Sequence, residues 1–234
     1  MTRAPAPPPA SLIRRYAAWS LDAAAIGLLV VVCLHRWLRD ALGTAGRALD
    51  GLTRTMAGTM QAALDTGATP LELARTWMVD PALHGAVSAL AAATSALVLI
   101  PMLVFALVSL IWFTAFEGGL WQATPGKRLL GLRVIDDDGR APHFARAALR
   151  QGAGLLSWLS LNLGHALAGL APRHQALHDR IAGTRVVQAD DRPLQMGVRL
   201  WLALQLPAVF LLLALLLRAV DQSLASALDA ALAG

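Results

Sequence analysis

What this chain lacks narrows its class before any motif is considered. Only 15% of its 234 residues are charged, whereas soluble domains carry about 25%. A single cysteine, Cys33, excludes an intrachain disulfide and a cysteine-rich metal site. Lysine is nearly missing as well: Lys127 stands alone among 20 basic residues, a bias that a GC-rich genome produces without any function. No module of aromatic and basic residues accompanies the formal charge of +5 and the pI near 10.9, so nucleic acid is not the expected partner. Anionic lipid head groups supply the counter-charge instead. From Ala86 to Phe116 charge is absent altogether.

What is present is apolar surface. Hydrophobic residues make up 56% of the chain and the mean hydropathy is +0.55, and one crossing of a bilayer needs only about 20 apolar residues. Tyr16 to Leu34 is the first predicted span, apolar apart from Ser20 and Asp22 and flanked by Arg14, Arg15, His35 and Arg36. It ends at Cys33-Leu34-His35 without the small-residue pattern of a cleaved signal peptide. Ala86 to Phe116 is the second span, longer than the bilayer core, which implies tilt, a kink at Pro101 or an extension into water. Val198 to Leu217 is the third, interrupted only by Arg199, Gln205 and Pro207. Between the first two, Leu38, Leu42, Ala45, Leu49, Leu52, Met56 and Met60 recur at spacings of three and four, predicting an amphipathic helix over 37–66. Thr69-Pro70-Leu71-Glu72 carries the start signature of a second, short helix.

Topology turns on 147–170, a weakly apolar stretch broken by Gly152, Gly154, Asn162, Gly164 and His165. Basic residues cluster in 1–15, 117–146 and 171–197 and are sparse or diluted by acids in 37–85 and 218–234. The positive-inside bias then puts the three basic blocks in the cytoplasm only if 147–170 does not cross. Two β-branched runs agree, Gly131-Leu-Arg-Val-Ile135 and Thr184-Arg-Val-Val187. A lone strand is unstable, so the two pair and must share one side. The predicted fold is therefore an all-α membrane protein with three transmembrane helices, a re-entrant or half-helix pair, and a small cytoplasmic two-stranded β element.

Few residues carry chemistry. Asp22 inside the first span costs about 3 kcal/mol on insertion scales. Arg15 lies two turns earlier on the same face, about 10 Å away, too far for direct contact, which predicts that both reach a third charged group. The alternative is a purely structural Asp22, protonated or satisfied by Ser20 or backbone. Thr124-Pro125-Gly126-Lys127 is not a phosphate loop, because Gly118 and Gly119 stand at the wrong spacing and Arg128 replaces the hydroxyl that binds magnesium. Asp136-Asp137-Asp138-Gly139 is a surface turn rather than a calcium loop. His174 and His178 are four apart but lack the glutamate of a hydrolytic zinc motif, so His178-Asp179 is expected to serve as a cap or ion-pair partner. No metal, cofactor or catalytic set is predicted, and the chain is not expected to be an enzyme.

Three separated segments together resemble the RDD family of bacterial membrane proteins. They are Arg14-Arg15-Tyr-Ala-Ala-Trp-Ser-Leu-Asp22; Thr124-Pro-Gly-Lys-Arg-Leu-Leu-Gly-Leu-Arg-Val134 with Asp138, Gly139 and Arg150; and Leu177-His178-Asp179-Arg-Ile-Ala-Gly-Thr-Arg-Val-Val187. The resemblance implies that Arg15, Asp22 and Asp179 are the arginine and two aspartates that name the family, with Asp179 brought to Arg15 by the returning chain. Thr124, Gly126, Lys127, Arg150 and His178 form the accompanying cytoplasmic motif. The expected organisation is a disordered lead over 1–10, the family domain over 11–188 with an extracytoplasmic helical insertion at 37–85, and a C-terminal span and tail over 189–234. The resemblance implies residence in the bacterial inner membrane with the N-terminus cytoplasmic, in contact with the lipid bilayer and with a second copy or another membrane protein. Two functions follow as expectations: transport of a small ligand or ion with Asp22 as the intramembrane site, or a non-catalytic adaptor that holds a partner through its cytoplasmic motifs.

Overall fold

A computed structural model of the chain describes residues 7–159, 163–170, 174–190 and 192–232. The order is α1 (Leu12–Thr66), α2 (Pro70–Val79), α3 (Pro81–Glu117), α4 (Pro125–Leu129), β1 (Leu132–Asp136), α5 (Phe144–Leu159), α6 (Leu163–Ala166), a 3-10 turn (Leu167–Gly169), α7 (Leu177–Ile181), β2 (Thr184–Gln188) and α8 (Met196–Leu232). Leu12–Thr66, Pro81–Glu117 and Met196–Gln222 are long and apolar enough to cross a membrane, in agreement with the three predicted spans.

Two expectations about helix ends are corrected. The first span and the amphipathic helix over 37–66 are one unbroken α1. Nothing between Leu34 and Trp37 is a proline, a glycine or a capping residue, so propagation costs less than ending one helix and nucleating another. For the same reason α8 runs on past Leu217 through Arg218 and Asp221, and most of the expected C-terminal tail is helical. The start of α2 is as predicted: Thr69 accepts from the Glu72 amide, and the Glu72 carboxylate accepts from the Thr69 amide at 2.7 Å.

The chain divides into two compact units. One comprises the residues up to Val30 together with Val104–Ala203, and it contains α4 to α7 and the sheet. Its core gathers Ala10, Ala17, Ala18, Leu130, Leu132, Val134, Val186 and Val198. Two tryptophans bring neighbouring helices to α1: Trp112 of α3 donates to Asp22, and Trp201 of α8 donates to Ser20 Oγ at 3.0 Å.

β1 and β2 pair antiparallel, with Val134 opposite Val186. Both outer edges are occupied, which removes the hazard of an open strand. Gln122 accepts from the Val134 amide at 2.8 Å on one side, and Pro8 accepts from the Gln188 amide at 2.9 Å on the other. The expected disordered lead is therefore corrected at its end: Pro9 bridges Val187, and Ala10 is buried against the sheet. Residues 1–6 of that lead lie outside the described residues. Because the strands pair, the chain that leaves β1 along α5 comes back through α7 to the same sheet. With 16 residues, α5 is about 24 Å long, short of the roughly 30 Å hydrocarbon core.

The second unit comprises Val31–Leu103 and the chain from Leu204 onward. Trp77 of α2 donates to Thr59 Oγ1 of α1 at 2.7 Å and fixes the short helix to the long one. Along the apolar stripe of α1, Leu38, Ala45, Leu49, Leu52 and Met60 are half-buried, while Leu42 and Met56 stay exposed.

Candidate functional site, a buried charge cluster at the start of the first helix

The cluster begins with Asp22, 2% exposed on α1. Gly126 donates its backbone N–H to Oδ1 at 2.9 Å, Trp112 its indole N–H at 3.3 Å, and Thr124 its hydroxyl to Oδ2. Thr124 is the N-cap of α4, with Pro125 at the first helical position, and its oxygen also accepts from the Lys127 amide. The Thr-Pro-Gly-Lys turn thus wraps an anion, and that anion is the chain's own carboxylate. Only glycine fits at 126. A β-carbon there would stand 2.3 Å from the Ala18 carbonyl oxygen and 2.8 Å from Asp22 Oδ2.

A line of five alternating charges runs beside it. Lys127 donates to Glu117, the last residue of α3. Arg150 donates to the other oxygen of Glu117 and, through Nε, to Asp179 at 2.9 Å. Asp179 also accepts from Arg15 Nη1 at 2.8 Å and from the Ala176 amide at 3.1 Å. The remaining donors of Arg15 bind the carbonyls of Ala10, His174 and Val186, tying α1 to β2 and to the loop before α7. With Asp22 included, three cations face three anions. Burying them is tolerable only because each is paired or hydrogen-bonded.

Electrostatics follow from that packing. Burial alone raises the Asp179 carboxyl, but the paired guanidiniums of Arg150 and Arg15 hold it well below the ordinary carboxylate range. Burial, reinforced by the charge of Arg150, pushes His178 down to about 3, so it is neutral at physiological pH. Its Nε2 lies 3.4 Å from Arg150 Nη2, and its ring packs 5.1 Å from that of His165.

The structure brings all eight predicted residues together: Arg15, Asp22, Thr124, Gly126, Lys127, Arg150, His178 and Asp179. One expectation is corrected. Arg15 and Asp22 do not converge on a shared third charge, because Arg15 goes to Asp179 while Asp22 turns to neutral donors contributed by α3 and α4. Ser20 Oγ donates to the Ala17 carbonyl. His174 lies outside α7 with φ 49°, so it does not share a helical face with His178. Sequence reasoning missed Glu117. The signal was an acid directly closing a charge-free span ten residues before the only lysine. It also passed over Gln151, which donates to Glu117 at 3.3 Å.

Residues 9–183 match the profile of the RDD family. This chain belongs to the RDD family. The matched stretch runs from the segment paired with β2, through every member of the cluster, to the turn that opens β2. The chain is also 29% identical over 86 residues to the uncharacterized protein YxaI of Bacillus subtilis (strain 168), a match covering 37% of this chain and 56% of that protein. It thus spans little more than half of that relative. No solved structure matches the chain.

Proposed function

We propose that this RDD-family protein is a non-enzymatic membrane protein that moves a proton or small cation across the bilayer, with Asp22 as the intramembrane exchange site. One observation carries the reading. Among the described residues, Asp22 is the buried acid with no cationic partner within 4 Å, whereas Glu117, Asp136 and Asp179 each have one. An acid held in a spanning helix by neutral donors is the group whose charge a proton or cation can complete. The ammonium of Lys127 is committed to Glu117 and is not paired with Asp22.

The arginine distribution supports placing the cluster on the cytoplasmic side of a bacterial inner membrane. Three spans are few for a solitary pathway, which favours a working assembly of several copies. The test is ion-coupled flux in proteoliposomes with wild type and Asp22→Asn. Asparagine keeps an oxygen for Gly126 and Trp112, so the variant is expected to assemble with normal helicity and lose the flux. Unchanged flux overturns the proposal.

A second reading has its own observation. The three donors on Asp22 and the pairing of the other five charges are also what a structural latch requires, with the sheet and α7 displayed as an adaptor surface for a protein partner. In that case Asp22→Asn lowers protein level or assembly, and wild type carries no flux to lose.

A further inference from the structure

α5 is built inside out for a helix in water. Its buried face is Ala147, Arg150, Ala153 and Ser157, and its exposed face is Ala145, Leu149, Gly152 and Leu156. A surface helix of a soluble domain shows the reverse, with apolar residues inward and charges outward. Leu149 is 52% exposed, Leu156 49%, and Leu163 in α6 69%. Arg150 is the only charged residue from Ala147 to Leu170, and its side chain is buried in the ion pairs with Glu117 and Asp179. Gln151 also turns its amide inward, to Glu117.

The ends of the helix show where this surface lies. Phe144 packs so closely against the end of α3 that a β-carbon at Gly118 would stand 2.9 Å from its Cα. α5 therefore starts at the end of an apolar span. Arg146, at the same end, is paired with Asp136 beside an exposed turn, Asp137-Asp138-Gly139-Arg140, which is suited to water. Beyond Arg146 no charged side chain is exposed until the chain has passed Leu170.

We propose that the outward face of α5 and α6 contacts lipid acyl chains, so that this segment is a re-entrant element dipping into the hydrocarbon layer from the side that carries the sheet. The occupant follows from polarity. Water wets an all-apolar helix face poorly, while hydrocarbon tolerates an arginine only when it is turned inward and paired, as Arg150 is. The return is required by the β1–β2 pairing, and the length of α5 fits an element that enters without crossing. The inference holds whether or not the protein transports an ion.

Spin labels read this surface directly. In a Cys33→Ser background reconstituted into liposomes, single cysteines at Leu149, Leu156 and Leu163 carry a nitroxide, and its collision with oxygen and with a water-soluble nickel chelate is measured. Ile111 of α3 is the lipid reference and Asp138 the aqueous one. These side chains are exposed, and circular dichroism checks that each variant is folded. The expected result is that labels at all three positions behave as the Ile111 label does, open to oxygen and closed to the chelate. Labels that behave like the one at Asp138 overturn the proposal. Labels closed to both reagents, with spin–spin broadening between copies, overturn it too and assign the face to a second copy of the chain.

Discussion

One guanidinium joins two acids that are 62 positions apart: Arg150 donates to Glu117 at the end of α3 and to Asp179 in α7. Both carboxylates are fully buried, so removing Arg150 strands two negative charges with one cation each, Lys127 and Arg15. Breaking a buried pair in this way costs about 3–5 kcal/mol. Arg150→Met is expected to abolish stable folding, read as monodisperse yield and thermal midpoint in detergent. Arg150→Lys is expected to fall between, because an ammonium cannot fork to both acids. A methionine variant as stable as wild type would show that the line of charges contributes nothing to the fold.

The acid response follows from two groups whose effects have the same sign. His178 has a folded value of about 3, against roughly 6.5 unfolded. Below about pH 6.5 the unfolded chain takes up a proton that the folded chain refuses, and stability falls as pH drops. Asp179, held below its ordinary value, stabilises above about pH 4 and loses that contribution on further acidification. The thermal midpoint should decline steadily from pH 7 to pH 4.5, and His178→Gln, which keeps an acceptor for Arg150 but does not titrate, should flatten that decline. A slope unchanged by the substitution would assign the response to other groups.

The contact between α1 and α4 can be tested by one methyl group. Gly126→Ala forces the new carbon against the Ala18 carbonyl and the Asp22 carboxylate, both held by packed helices. Overpacking of this kind costs about 1–3 kcal/mol, and here it also separates the Gly126 amide from Asp22. Gly152→Ala is the control: a β-carbon there meets nothing within 4 Å, and alanine is favoured in a helix by up to about 1 kcal/mol. The first change should lower the thermal midpoint and the second should hold or raise it. Equal effects would mean that α4 does not depend on its fit to α1.

How much of this was legible depended on range. The spans were legible because unbroken apolar runs fit a bilayer by length alone, and the start of α2 because Thr69 and Glu72 cap it locally. The return of 147–170 followed from two short β-branched runs that needed each other, and Asp179 does meet Arg15 as the family resemblance implied. What failed was decided at a distance. A lone acid after Phe116 looks like a boundary residue, and only the fold brings Lys127 and Arg150 to it. Arg15 and Asp22 share a helical face, yet their distant partners come from different parts of the sequence, 174–186 for Arg15 and 112–126 for Asp22. The continuity of α1 was hidden because its membrane and amphipathic halves have different patterns, although no breaker separates them.

Arg15 gives the sharpest test of whether charge or geometry holds the N-terminal segment. Its positive charge meets Asp179, while its other N–H groups reach the carbonyls of Ala10, His174 and Val186. Arg15→Lys preserves the charge and the ion pair but cannot supply a planar fork to three further acceptors. The Val186 carbonyl keeps the Ala10 amide, but the Ala10 and His174 carbonyls lose their Arg15 donor, and leaving a buried carbonyl unpaired costs about 1–3 kcal/mol. That loss should fall locally, on the pairing of residues 8–10 with β2. Hydrogen exchange reads it at two amides, Ala10, which donates to Val186, and Gln188, which donates to Pro8. Both should exchange faster in the lysine variant, while the Val134 amide, bonded to Gln122 on the far edge of the sheet, stays protected. Unchanged protection at Ala10 and Gln188 would mean that the ion pair alone anchors the segment and that the three carbonyl contacts are incidental to it.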